Sequence, residues 1–295
     1  MRSFLLFVAL LAASLILAAA VTYPAWLLVS AISVEPVHRV MNRVAMLLAL
    51  IGLVYMTRRL GLSDRVSLGY GLPRREFIRQ LVIGWVCGVA LMAPLAALLL
   101  GLDIRQVRPA FDGNLFALFT SGIVAGLIVA LIEETFFRGV LFSAIVRTSG
   151  VAAALLAPSL LYASLHFLGG KLRVPAHEVS WLDGFAVLAR LFERYAQPLT
   201  FIDSFVALLV LGVLLSLVRL RTGAIAGCIG LHAAGVGAIA VLRELTLVDQ
   251  TAPLAALVGQ YDGVIGWAAL IWFAVIGSAY ATFGRRRQPR PQGHV

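Results

Sequence analysis

Eight runs of apolar residues, each of about the length that crosses a bilayer as a helix, occupy most of this chain and leave few folds open to it. They cover about residues 4–31, 41–57, 78–101, 115–147, 151–168, 201–219, 223–245 and 263–283. A soluble domain is about half apolar and a quarter charged. Here 61% of 295 residues are hydrophobic, 13% are charged, and the mean hydropathy is +0.96. The expected fold is all-α, a polytopic membrane protein of about eight transmembrane helices forming one membrane domain. The first run begins with Arg2 and contains Ala18-Ala19-Ala20, as a cleaved signal peptide would. Its apolar stretch continues through Trp26 to Ile32, longer than a signal core needs, so a retained anchor is expected. Cys87 and Cys228 both fall in apolar runs and read as small buried hydrophobes, not as a disulfide framework.

Charge sets the orientation. With a cytoplasmic N-terminus and alternating spans, the inner segments carry 14 arginines against Asp64 and Glu76, a net of +12. That inner set includes Arg285, Arg286, Arg287 and Arg290 in the tail. The outer segments carry nine basic and ten acidic residues, a net of −1. The positive-inside rule then places both termini in the cytoplasm. The high pI of 10.6 reports this topology, and the basic tail is expected to meet anionic lipid, not nucleic acid. All but one of the 24 basic residues are arginine, which points to a bacterial genome rich in G and C and hence to an inner membrane. The longest soluble segment, about 169–200, lies outside; within it 181–196 can form an amphipathic interfacial helix through Leu182, Phe185, Leu188, Ala189 and Phe192.

The stretch LIEETFFRGVLF, residues 131–142, breaks the apolar pattern. Ionisable groups at membrane depth cost several kcal/mol each and mark working sites. On an α-helix Glu134 and Arg138, spaced i,i+4, share a face and can neutralise one another. Glu133 would point about 140° away from Arg138, unpaired, and is the candidate general base. His166 follows 33 residues after Glu133. A helical hairpin turning between Arg147 and Gly150 returns it to the depth of Glu133, because the two legs of about 21–24 Å nearly match. Tyr162 lies one turn from His166 on the same face, and His232 falls within the seventh span. Gly122 and Gly126 in span four, with Gly223, Gly227, Gly230, Gly235 and Gly237 in span seven, allow close packing around His232.

These residues resemble a known family. EETFFRG is similar to the EExxxR motif of the CAAX-protease and bacteriocin-processing family of intramembrane proteases, YASLH to its FxxxH motif, and HAAGV to its HxxxN or Hxxx-apolar motif. Order, spacing and an eight-helix architecture agree over about 78–245. Tyr162 stands where the family usually has Phe, and Val236 where many members have Asn. The resemblance implies an intramembrane endopeptidase with its helices enclosing a catalytic cavity. Residues 1–77 would give two spans and a cytoplasmic loop, 78–245 the catalytic core, and 246–295 the last span and tail. It also implies that Glu133 and His166 activate a water, while His232 and the Asn position stabilise the oxyanion. Glu134 and Arg138 are then supporting residues. Val236 cannot donate a hydrogen bond, and loss of such a donor costs about 10²–10³ in rate. The Tyr162 hydroxyl is expected to compensate. The substrate is a membrane-associated peptide or protein.

No cofactor is expected. A zinc version would use Glu133, His166 and His232, a ligand set that suits an open zinc site. HExxH is absent, and His177-Glu178 lies in the outer loop. Two other classes fit the buried carboxylates: a proton-coupled transporter, and a catalytically weak scaffold that binds a peptide partner. The transporter lacks the expected repeat symmetry and paired broken helices. For topology, cysteine introduced at Gln288 is expected to resist membrane-impermeant reagents added to intact cells. Labelling from outside reverses the orientation.

Overall fold

The computed structural model describes residues 1–283; the arginines at 285, 286, 287 and 290 and the labelling position 288 lie outside the described residues. The chain is nearly all helix. Helix α1 (Arg2–Ser30) and α2 (Val37–Arg59) are followed by α3 (Arg74–Gly101) and α4 (Leu115–Glu134). From α4 the chain passes through a π-helical stretch, Thr135–Leu141, into α5 (Phe142–His166). A short α6 (Asp183–Leu191), then α7 (Ile202–Thr222), α8 (Ala226–Leu245) and α9 (Trp267–Phe283) complete it. One element escaped the sequence reading, an antiparallel ribbon of β1 (Arg105–Val107) and β2 (Thr246–Val248), with Arg105 opposite Val248. The Arg105 side chain pins it, donating to Thr246 Oγ1 at 2.6 Å and to the Gly263 carbonyl at 2.7 Å.

Helix α5 is broken at Gly150, whose φ of 82° and ψ of 176° lie outside helical space and favour glycine. A straight helix would separate Arg138 from Tyr162 by about 36 Å. Instead the Arg138 guanidinium stands 4.8 Å from the Tyr162 ring centre, so the chain doubles back at Gly150. Among the described residues six helical runs are long and apolar enough to span, the doubled-back Leu115–His166 counting as one. Dividing that run at Gly150 and adding the shorter α9 gives the eight spans read from the sequence, so this is a multi-pass membrane protein. Contacts fix the alternation. Arg147 reaches the Gly61 carbonyl at 3.2 Å and Arg221 the Ala281 carbonyl at 2.7 Å, so the first turn of α1, the loop 60–73, the Gly150 turn and the end of α9 share one side. The ribbon, segment 167–201 and segment 249–266 share the other.

Glycines set how closely three helices approach. A Cβ at Gly84 of α3 would overlap the Gly227 backbone, one at Gly88 would meet the Leu231 carbonyl at 2.6 Å, and one at Gly230 would overlap Leu81 and Trp85. On the other flank of α8, a Cβ at Gly126 of α4 would overlap the Ala233 carbonyl. Helix α8 is thus clamped between α3 and α4, and Gly84 and Gly88, a small-xxx-small pair, were missed in the sequence reading. Two glycines assigned to packing do other work. Gly223 caps α7 at φ 68°, and nothing lies within 4 Å of a Cβ at Gly235. Cys228 is buried, but Cys87 is exposed on α3, because α3 turns only its glycine face to α8. The expected interfacial helix is shorter than 181–196. Its Gly184, Val187 and Leu191 pack against α1 and α2, while Leu182, Phe185 and Phe192 remain exposed.

Gly230→Ala should lower stability by about 1–3 kcal/mol, since the added methyl has no room beside the α3 backbone. Gly235→Ala should be neutral or gain up to about 1 kcal/mol from helix propensity. Thermal unfolding in detergent compares them, and equal effects would contradict the clamped seam.

Candidate active site

The π-helical stretch carries the charged motif, and neighbours hold it on both sides. Tyr70 shares a hydrogen bond with Thr135 Oγ1 at 2.6 Å, and the Leu68 carbonyl comes so near Gly139 that a Cβ would sit 2.7 Å from it. Arg219 of α7 donates from Nε to the Arg138 carbonyl at 3.0 Å. The widened turn changes the α-helical wheel drawn from the sequence, because π-helical residues follow an i,i+5 ladder. The pairing of Glu134 with Arg138 nevertheless forms, since Glu134 ends the α-helical part.

Glu134 and Arg138 are both fully buried. Glu134 Oε1 accepts from Arg138 Nη1 at 2.9 Å and also meets His232 Nδ1 at 2.8 Å, a contact that no sequence spacing revealed. Arg138 Nη2 donates to the Gly212 carbonyl at 3.0 Å, and its guanidinium faces the Tyr162 and Phe137 rings. One carboxylate oxygen therefore orients both Arg138 and His232. With Nδ1 engaged by Glu134, His232 turns Nε2 toward Glu133, whose Oε2 lies 3.9 Å away. Glu133 is 29% exposed at its side chain and has no hydrogen-bond partner at Oε2. Among the described residues the Oε2 of Glu134 also lacks a partner, and the two adjacent glutamates differ elsewhere: Glu134 is fully buried with Oε1 bonded twice, whereas Glu133 is partly exposed.

His166 closes α5 and makes its Nδ1 contact to the Tyr162 carbonyl at 2.8 Å, which directs Nε2 away from its own helix. The Tyr162 ring packs 4.4 Å from His166, 5.8 Å from His232 and 5.4 Å from Phe137, centre to centre. Tyr162 is buried, so its ring is a structural partner of both histidines. Val236 follows His232 by one turn and lines the same cavity.

The sequence reading placed the three candidate catalytic residues on one cavity; in the structure Glu133 Oε2 and His232 Nε2 stand 3.9 Å apart where two open spaces meet. A cavity of about 370 Å³ is lined by Tyr162, His166, His232 and Val236 and runs toward Tyr261 and Asp262. An apolar groove of about 560 Å³ lies between α1, α2 and α4 and contains Glu133 and His166. His166 belongs to both, so the two spaces meet at the histidine. At the far end of the 370 Å³ cavity, burial pushes the Asp262 carboxyl above the usual range, opposed by hydrogen bonds from the Ile265 and Val264 amides.

Among the described residues no three His, Cys, Asp or Glu side chains are gathered as metal ligands. Both histidines have Nδ1 engaged by protein oxygens, and Glu133 and His232 stand 3.9 Å apart.

Residues 115–236 match the family model described as Type II CAAX prenyl endopeptidase Rce1-like. The match spans Glu133, Glu134, Arg138, Tyr162, His166, His232 and Val236, and it bears out the family resemblance carried by the three motifs. It begins at Leu115 and so leaves out α3, which the motif-based estimate of 78–245 had included. No curated protein and no solved structure matches the chain. The match supports CAAX-type endopeptidase activity in general and a peptide or protein substrate.

Arg138→Ala should reduce the folded fraction sharply, because it strands the Glu134 carboxylate without its buried partner, a loss of about 3–5 kcal/mol. Glu133→Gln should leave folding close to wild type. Size-exclusion yield and thermal unfolding decide it; equal losses in the two variants would remove the division between the glutamates.

Proposed function

We propose that this protein is an intramembrane endopeptidase in which Glu133 and His166 activate a water against a peptide bond. The observation that carries the reading is the inequality of the two glutamates. Glu134 is sealed from solvent and holds Arg138 and His232 in place, while Glu133 is partly exposed and opens onto the groove that His166 shares with the cavity. A carboxylate so placed can take a proton from water, and the hydroxide formed adds to the peptide carbonyl carbon. Charge then develops on the carbonyl oxygen. His232, held through Nδ1 by Glu134, presents Nε2 to the cavity and in its protonated form donates to that oxygen. Collapse breaks the C–N bond as the proton held by Glu133 passes to the leaving amine, aided by His166. The family match supports the same activity at the coarser level of a CAAX-type peptidase.

The whole chain acts as one membrane domain, with the segment 78–245 as its catalytic core. We assign the arginine-rich side, which carries Arg58, Arg59, Arg65 and Arg147, to the cytoplasm of a bacterial inner membrane, following the positive-inside rule. The 370 Å³ cavity then runs toward the outer face. The groove between α1, α2 and α4 is lined by apolar side chains such as Leu50 and Leu131, which suits a membrane-associated substrate.

Glu133→Gln should abolish cleavage of a co-expressed substrate while the protein stays folded. Retained cleavage would end the assignment of Glu133 as base. Tyr162→Phe keeps the ring contacts and removes only the hydroxyl. If that hydroxyl supplies the oxyanion donor that Val236 lacks, turnover should fall about 10-fold or more with little change in KM. Val236→Asn in the same variant should then recover part of the rate. Unchanged turnover in Tyr162→Phe would leave the tyrosine a packing role and oxyanion stabilisation to His232.

A further inference from the structure

The catalytic cavity has a second end that the proposed mechanism does not use. Arg243 lines it, eleven residues after His232 on α8. Eleven helical residues turn 20° past three full revolutions and rise about 16 Å, so Arg243 shares the His232 face of α8. Between them that face shows Gly235, Val236 and Ile239 to the cavity, a floor without a polar side chain. Arg243 itself is exposed, and among the described residues no carboxylate lies within ion-pair distance of it.

Among the described residues two arginines, Arg243 and Arg105, act on the one carboxylate that lines this end, Asp262. Asp262 also lines the cavity, but its carboxylate accepts from the Val264 and Ile265 amides at 2.9 and 2.8 Å. Buried Arg105 stands in the adjoining ribbon and donates to the Gly263 carbonyl. An apolar corridor that starts at a catalytic histidine and ends at a free guanidinium fits a short apolar chain bearing one negative charge. Helical side chains lean toward the helix N-terminus, which brings the guanidinium back toward His232. At about 3.3 Å per extended residue the interval holds roughly four or five residues.

We infer that Arg243 is the carboxylate-binding end of the cleavage cleft, selecting substrates that carry a negative charge about four or five residues from the scissile bond. This inference rests on the peptidase reading and adds a specificity-determining residue to it. The carboxylate is either the chain terminus or an acidic side chain, and the guanidinium forms the same charge-assisted hydrogen bonds with both.

The test uses the full-length protein in nanodiscs and fluorescent apolar hexapeptides of three kinds: a free C-terminal acid, the matching amide, and an amide with glutamate at the fifth position. Binding is read first in the Glu133→Gln background, where no turnover is expected. A carboxylate-bearing peptide should bind about 10-fold more tightly than the plain amide. Arg243→Gln should erase that difference and Arg243→Lys retain part of it. Preference for the free acid alone identifies the chain terminus; equal preference for the glutamate peptide identifies a side-chain carboxylate as sufficient. Equal binding of all three, a preference that survives Arg243→Gln, or no binding at all overturns the inference. Cleavage by the protein with Glu133 intact is read separately. Carboxylate-dependent binding without any Glu133-dependent cleavage sinks the peptidase reading and keeps Arg243. Cleavage without a carboxylate preference sinks Arg243 alone.

Discussion

Everything at the site depends on one buried oxygen, Glu134 Oε1, which receives Arg138 Nη1 at 2.9 Å and meets His232 Nδ1 at 2.8 Å. In a medium without water a bare guanidinium or carboxylate costs several kcal/mol. Pairing removes most of that cost only when the geometry is good and the remaining donors find acceptors. Arg138 meets most of that demand through the Gly212 carbonyl and the face of Tyr162, its Nε alone lacking an acceptor among the described residues. The interaction therefore ties α4, α7 and α8 together at one depth. Arg138 is engaged by Glu134 and so does not tie up Glu133.

Such a network tolerates little movement, and the backbone around it is correspondingly close. Gly84, Gly88 and Gly126 let α3 and α4 approach α8 to backbone contact, which fixes the height of His232 against Glu134. Lipid offers no hydrophobic force between helices, so close packing of this kind supplies much of their attraction. Gly235 is the informative exception. It has no neighbour to accommodate, and its bare surface widens the cavity next to His232.

The π-helical stretch is held from the side opposite the ribbon. Tyr70 on Thr135, the Leu68 carbonyl beside Gly139, and Arg147 on Ser67 at 2.6 Å bind the loop 60–71 against it. Arg219 reaches both this loop, at the Val66 carbonyl, and the Arg138 carbonyl. A widened helical turn leaves backbone groups short of partners, and these donors and close approaches stabilise it. The loop is in this way part of the support of the site, although it lies outside the matched family segment.

By itself the sequence determined the quantities that depend on composition and local period. Apolar length gave eight spans, and the i,i+4 spacing of Glu134 and Arg138 gave their pairing, since both follow from helical rise and turn. Matching the two legs about Gly150 returned His166 to the level of Glu133 for the same reason. Tertiary structure decided what rests on contact between distant segments. The bond from His232 to Glu134 joins residues 98 positions apart, and no local rule sets it. The π-helical turn is likewise held by Tyr70, Leu68 and Arg219 from elsewhere in the chain, so the local sequence does not reveal it. Cys87 faces outward because α3 spends its small-residue side on α8, a choice of face that hydropathy alone does not encode.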